Sequence, residues 1–492
     1  MPRDGSGNRT SGEKLPRSLV PVYRGHEIYR CQFIAIACPR ILTKSSTHHP
    51  TIEDGFPPSA SFPVAISKSS LVQGFWSYLH ENRSFGQFGS GNTGNDGSLE
   101  AMLQMLARAC PDADIVCICS RPEIIAEKFH IAATPVGREP FVNGLLRRID
   151  KALLQLPRRL SGFIAAVSIA QGLDLIIVPG TGILDDFSEN PFGWPFVIMR
   201  WSLAARLGGA KFAFVSIGAG PVVQPLSRFF VRVASRLAAF RSYRDNVSYE
   251  FMQTLGINTR IDTVTADIAF ALPVPDAGSK ATAGRRCIGL SVMTYRGWKK
   301  DSAQAPVIYE TYLDKMADMA EGLLASGYRI RLLTGDISDL MAVDDLMARL
   351  AAPARANIVF EPVTSLNGLM QQIAHTDIVV ASRYHNIVCA LATGRPAISL
   401  SYAAKNDALL HDAGLDRFCH HIEDFDPQTV LMQVRQMFAN LEQLREGVEA
   451  GVARYRLHLA RQEEVLRTSL LAGMPMEELT SVPGRYRESF RR

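Results

Sequence analysis

The sequence predicts an α/β protein made of two doubly wound, Rossmann-like domains that face a central cleft, with helices at the C-terminal end. Three observations lead there. At 492 residues and 47% hydrophobic content, the chain can bury a large core but exceeds the usual single-domain size. From about residue 85 onward, short apolar runs alternate with helical periodicity, the pattern of βαβ units. That series occurs twice, divided by a Pro/Ala/Gly-rich stretch over 273–284 that carries no periodicity and reads as a linker.

In chain order, residues 1–84 are rich in Ser, Pro, Arg and His with little sustained periodicity, and are expected to form a disordered or poorly structured N-terminal extension. No Met occurs between Met1 and Met102, which leaves a non-Met start near 64–71 open. In the first domain, 85–272, β-rich runs fall at 113–119, 174–179, 211–218 and 261–266. Helical spacing marks 98–109, 142–156, 191–207, 227–240 and 247–255. The second domain, 285–425, has strands at 286–292, 329–333, 357–360, 377–381 and 397–401. Its helices are expected near 309–325, 340–350, 365–374 and 386–392. Over 426–492, Val430, Val434, Phe438 and Leu441 recur at helical spacing, so a C-terminal helical segment packs back on the sheets before a basic tail. Open α/β sheets bind ligands beyond their strand C-termini, which places a ligand between the two domains.

Composition narrows the function. With 53 basic and 48 acidic residues, the net charge of +5 is too mild for a dedicated nucleic-acid binder. The eight cysteines form no CxxC pair or repeated spacing, so they read as reduced thiols and no metal site is expected. Cys117 and Cys119, alternating with Val116 and Ile118, suit a buried strand. The most apolar stretch, 162–180, is interrupted by Gln171 and Asp174, so no segment is long enough to span a bilayer. No secretory h-region and cleavage site precede it. A cytoplasmic protein is expected.

Four motifs could carry chemistry. The first is the glycine-rich run 88–100 before a helix, with Asn92, Gly94 and Asp96; its amides and helix N-terminus suit an anion, and Asp96 or Ser98 equally suits a helix cap. The second, Pro179-Gly180-Thr181-Gly182-Ile183-Leu184-Asp185-Asp186, follows a strand, where Gly180 and Gly182 admit a ligand. In the third, Ser242-Tyr243-Arg244-Asp245-Asn246, Asp245 or Asn246 can cap a helix with Arg244 at its mouth. An arginine there opposes the helix dipole and calls for an anion; Arg241 is the alternative contact. The fourth is Ser382-Arg383-Tyr384-His385, where a strand ends at a helix start and brings a fixed cation to a titratable imidazole. Lys405, after strand 397–401, adds a further charge or is simply a surface lysine.

Read in order, these segments resemble the polysaccharide pyruvyltransferase family from residue 88 to about 412. Gly91-Asn92-Thr93-Gly94-Asn95-Asp96 matches its G-N-x-G-(D/N) opening, with the acid shifted by one residue. Gly180-Thr181-Gly182-Ile183-Leu184-Asp185, Ile217-Gly218-Ala219-Gly220-Pro221, Arg244-Asp245-Asn246-Val247-Ser248, Asp267 and Ser382-Arg383-Tyr384-His385 follow in sequence. The resemblance implies a glycosyltransferase-B-like (GT-B-like) fold. It also implies transfer of a pyruvyl group from phosphoenolpyruvate to two hydroxyls of a cell-surface polysaccharide sugar or its lipid-linked precursor, giving a ketal and phosphate. No cofactor is required. Under that reading Arg383, Arg244, Ser382, Asn92, Gly94, Gly180, Gly182 and Lys405 bind substrate. His385 is the acid/base group or a phosphate contact, and Asp96 the base toward the sugar. Basic faces, Arg147, Arg148, Lys151, Arg158 and Arg159 together with Arg228, Arg232 and Arg236, suit peripheral contact with an anionic membrane. The competing readings are a GT-B glycosyltransferase or sugar-nucleotide epimerase, and a non-catalytic polysaccharide- or phosphoenolpyruvate-binding protein.

Overall fold

The computed structural model describes residues 33–37, 92–111, 113–138, 142–153, 155–186, 190–275, 286–297 and 303–471. The described strands form two sheets. The first part of the chain carries β1 (Phe33–Ala37), α1 (Thr93–Ala109), β2 (Asp114–Cys119), α2 (Pro122–Phe129), β3 (Ala132–Pro135), α3 (Gly144–Ala152) and α4 (Leu156–Ala170). It continues through β4 (Leu175–Pro179), α5 (Trp194–Gly208), β5 (Lys211–Ile217), α6 (Pro225–Leu237), β6 (Phe240–Tyr243), α7 (Asn246–Thr254) and β7 (Thr263–Val264). The second part carries β8 (Cys287–Ser291), α8 (Ala305–Ala325), β9 (Arg329–Leu333), α9 (Leu340–Arg349), α10 (Ala352–Arg355), β10 (Ile358–Phe360) and α11 (Leu366–Ala374). Then come β11 (Ile378–Ala381), α12 (Tyr384–Ala392), β12 (Ala397–Ser401), α13 (Ala404–Asp412), β13 (Cys419–His421), α14 (Pro427–Ala439) and α15 (Leu441–Val465).

The second sheet is parallel throughout, in the order β10-β9-β8-β11-β12-β13. This is the doubly wound order, whose direction of winding reverses between β8 and β11. Every residue of β11 and β12 is buried, as a parallel strand covered on both faces requires. In the first sheet, ordered β3-β2-β1-β4-β5-β6-β7, β4 is likewise buried along its whole length. The protein is thus the expected α/β type with two facing Rossmann-like sheets, GT-B-like in build. Its two halves are stitched where Thr93 N and Oγ1 both donate to Gly335 O, at 3.1 and 3.0 Å.

Several elements differ from expectation. Phe33–Ala37, assigned to the N-terminal extension, is an interior strand of the first sheet, antiparallel to both β2 and β4. Its five-residue apolar run is too short to show a period, and polar neighbours conceal it. The helix expected at 142–156 is the shorter α3, and α4 follows it where no helix was expected, with Gln155 at φ 62° between the two. The run 227–240 breaks at Leu237, and Phe240 opens β6. α1 starts at Thr93, capped by Asn92, whose Oδ1 accepts from Gly94 N and Asn95 N at 3.1 Å; neither Asp96 nor Ser98 is the cap. Residues 88–91, most of the linker and the basic tail at 472–492 lie outside the described residues. None of the helices among the described residues is long and apolar enough to cross a membrane.

Candidate active site

His385 occupies the first turn of α12, at the switch point of the second sheet, where Asn386 Nδ2 donates across to Ser291 Oγ at 2.8 Å. Its Nε2 lies 3.8 Å from Asp267 Oδ2, close enough for charge attraction and too long for a hydrogen bond. Among the described residues this buried Nε2 has no hydrogen-bond partner. Burial pushes its pKa down to about 4, with Asp267 opposing and Arg244 and Lys405 adding to the fall. The imidazole is therefore neutral at neutral pH.

Asp267 follows β7 and is fully buried. Its Oδ1 accepts from Ala269 N at 3.0 Å, capping the turn Ile268–Ala271, and its Oδ2 accepts from Arg244 Nη1 at 3.2 Å. One carboxylate of the first sheet thus faces both the histidine of the second sheet and the arginine that ends β6. Arg244 lies over the Tyr384 ring at 4.2 Å and is 3.4 Å from Asp245. Burial works against its charge, but Tyr384, Asp267 and Asp245 outweigh it and its pKa is raised. Asp245 also caps α7 through Ser248 N. Lys405, in the first turn of α13, stands 5.8 Å from the Tyr384 ring centre. Arg244, Asp267, Tyr384, Lys405, Asp412 and Tyr455 line a cavity of about 10 Å³, room for roughly one water.

Glycines make these approaches possible. A Cβ on Gly94 would sit 2.0 Å from His385 Nδ1, and one on Gly218 2.6 Å from Arg244 Nη2. Gly182 opens toward both cations, its Cβ position being 3.5 Å from Arg244 Nη2 and 4.0 Å from Lys405 Nζ. Gly180 has φ +48° with Ile268 against it, a conformation that favours glycine.

The sequence matches the family model for polysaccharide pyruvyl transferase over residues 92–403. The chain belongs to that family. The matched span takes in Arg244, Asp267 and His385 and ends just before Lys405. No curated protein matches the chain. Solved structures similar to it include the Anabaena protein HepE in complex with UDP-glucose, at 14% identity over 72% of this chain and 89% of that one, TM-score 0.45. A UDP-GlcNAc 2-epimerase from Methanocaldococcus jannaschii shares 12% identity over 71% and 89%, TM-score 0.45. A glycosyltransferase from Rickettsia africae shares 12% over 80% and 96%, TM-score 0.47. What those proteins bind is a property of those proteins.

Of the residues singled out in the sequence, the structure gathers His385, Arg244, Lys405, Gly94 and Gly182 at one place. Gly180 supports them from behind, its carbonyl accepting from Ser98 Oγ at 3.0 Å. Others are engaged elsewhere. Arg383, expected to hold an anion, has Nε and Nη2 bound to buried Asp339 at 2.9 and 2.6 Å. Asp96, expected as a base, pairs with Lys128 at 2.5 Å. Asn92 caps α1 and donates to Asp336 at 3.0 Å. Ser382 is fully buried, and its carbonyl accepts from Asn406. Arg241 is held by Asp262 through Nε and Nη2 at 2.8 and 2.9 Å, whereas Arg244 lies beside Asp267 and the Tyr384 ring. Asp186 accepts from Val223 N and Gln224 N. The sequence reading assigned no role to Asp267 or Tyr384, although each stands in a matched segment, and it missed Asp412 and Tyr455, which carry no local signal.

Proposed function

We propose that this protein moves the pyruvyl group of phosphoenolpyruvate onto two hydroxyls of a cell-surface polysaccharide sugar or its lipid-linked precursor, releasing phosphate. The observation that carries the proposal is one carboxylate, Asp267, between a neutral buried histidine and a buried arginine. Arg244 and Lys405 supply positive charge for the donor's carboxylate and phosphate. The donor's negative charge favours the imidazolium against the burial that chiefly lowers the His385 pKa, so the imidazole takes up a proton as the donor binds. His385 then protonates the methylene carbon of phosphoenolpyruvate, and Asp267 steadies the imidazolium before transfer. C2 gains cationic character and accepts the first sugar hydroxyl. Cleavage of the C2–O bond releases phosphate, and the second hydroxyl closes the ketal. Of the two hydroxyl protons, one replaces the proton given to carbon and one leaves with phosphate. Since the cavity holds about one water, donor entry requires the cleft to open and close around it.

Thermal melting and phosphate release test this together. Phosphoenolpyruvate at about 100 times its dissociation constant is expected to stabilise the protein by about 2.7 kcal/mol, and Lys405→Ala to lose most of that gain. His385→Ala is expected to slow phosphate release by roughly 10²–10⁴-fold. Stabilisation by nucleotide sugars and not by phosphoenolpyruvate would overturn the reading in favour of glycosyl transfer or epimerisation.

A further inference from the structure

Helix α3 departs from the rule that a surface helix buries its apolar stripe. All its residues except Asp150 are exposed, including Leu145 at 67%, Leu146 and Ile149. Its neighbour α4 leaves a second stripe open at four-residue spacing, Leu156, Leu160 and Ile164, each 61–62% exposed. The surface continues through aromatic rings: Arg159 lies over Phe192 at 4.0 Å, Phe192 is 6.0 Å from Phe230, and Phe230 is 5.8 Å from Phe229 of α6, itself 54% exposed. Apolar surface this extended on one side of a protein marks an interaction face.

The charge on these helices is one-signed. Helices α3 to α6 carry Arg147, Arg148, Lys151, Arg158, Arg159, Arg200, Arg206, Arg228, Arg232 and Arg236 and one acid, Asp150. That acid is buried against Arg158. Arg200 and Arg232 turn inward to backbone carbonyls. Arg147, Arg148 and Lys151 on α3, with Arg206 and Arg236, remain exposed. Exposed leucines flanked by long cationic side chains fit a leaflet whose acyl chains take the apolar groups and whose headgroups take the charge.

We propose that helices α3, α4 and α6 form a docking surface for an anionic lipid bilayer, seated beside the cleft. The placement follows from Asp186, which ends the Gly180–Asp186 segment and accepts from Val223 N and Gln224 N at the start of α6. The loop that brings Gly182 to Arg244 and Lys405 is therefore tied to the rim of the apolar face. A saccharide carried on a membrane lipid would meet the cleft from that side. Docking itself does not depend on the reaction proposed above and is read without substrate.

The test is flotation of the full chain with vesicles of phosphatidylcholine, alone and mixed with phosphatidylglycerol. The protein is expected to float with the mixed vesicles only, and less in high salt. Arg147→Gln with Arg148→Gln is expected to weaken partitioning ~30-fold, from about 1 kcal/mol per charge. Leu145→Asp with Ile149→Asp is expected to abolish it, with melting temperature and phosphoenolpyruvate stabilisation unchanged. Failure of the wild type to float, equal flotation with both vesicles, or flotation unaffected by both variants would overturn the proposal. So would a dimer that Leu145→Asp with Ile149→Asp renders monomeric without any lipid binding.

Discussion

At the residue scale, His385 couples burial to charge. Its pKa of about 4 in the folded protein stands below the ordinary 6.5, so between those values the unfolded chain binds a proton that the folded one excludes. Stability consequently falls as pH drops from 6.5 toward 4. His385→Gln lacks this effect. Going from about pH 7 to about pH 5, the stability difference between wild type and variant should shift against the wild type by about 2 kcal/mol; urea melts at both values measure it, and no shift would mean that the imidazole titrates alike in the folded and unfolded chain. Arg383 is tested differently. Its partner Asp339 is fully buried, so Arg383→Gln leaves a carboxylate without its cation and should cost roughly 3 kcal/mol, recovered in part by adding Asp339→Asn. Unchanged stability with weakened phosphoenolpyruvate binding would instead return Arg383 to the donor site.

At the scale of elements, α1 shows how tertiary contact overrides a local signal. Two glycines at 94 and 97 argue for a loop, and sequence reading starts the helix near 98. The helix begins at Thr93 because those positions are packing surfaces: a Cβ on Gly97 would lie 2.1 Å from Leu366 Cδ1, as one on Gly94 would meet His385. Gly94→Ala tests that packing. Alanine is the better helix former by about 1 kcal/mol, but its Cβ would lie 2.4 Å from Cγ of the His385 ring, so the substitution should cost about 1–3 kcal/mol on melting and phosphate release should fall more than about tenfold. Equal activity would show that the ring does not need its place over α1. The strand-to-helix junctions at Arg244 and His385 were legible because both follow short apolar strands and open helices, a local pattern. Helix α4 was not, since Pro157, Gly162 and the apolar run after it blur its period.

At the scale of the whole molecule, α15 ties the C-terminal half to the first sheet. Gln462 is buried among Ser216, Ser242 and Thr265, accepting from Ser242 Oγ at 2.6 Å and donating to Ser216 Oγ at 2.9 Å. Tyr455 packs on Phe270 at 4.7 Å and reaches Asp412 at 3.1 Å, beside the site. Gln462→Ala should cost about 2 kcal/mol or more by leaving buried hydroxyls unsatisfied, measurable by urea unfolding; a loss under about 0.5 kcal/mol would mean that water replaces the amide. The sequence by itself determined the α/β class, most of the order of strands and helices, and the segments that meet at the cleft, because apolar periodicity, turn residues and motif spacing are written locally along the chain. Only the tertiary structure decided that Phe33–Ala37 is an interior strand, that Arg244 and not Arg241 lies beside Asp267, and that Asp267 joins arginine to histidine. Each of those depends on a partner distant in sequence, and a side chain's charge acts where its partners leave it, which no local pattern records.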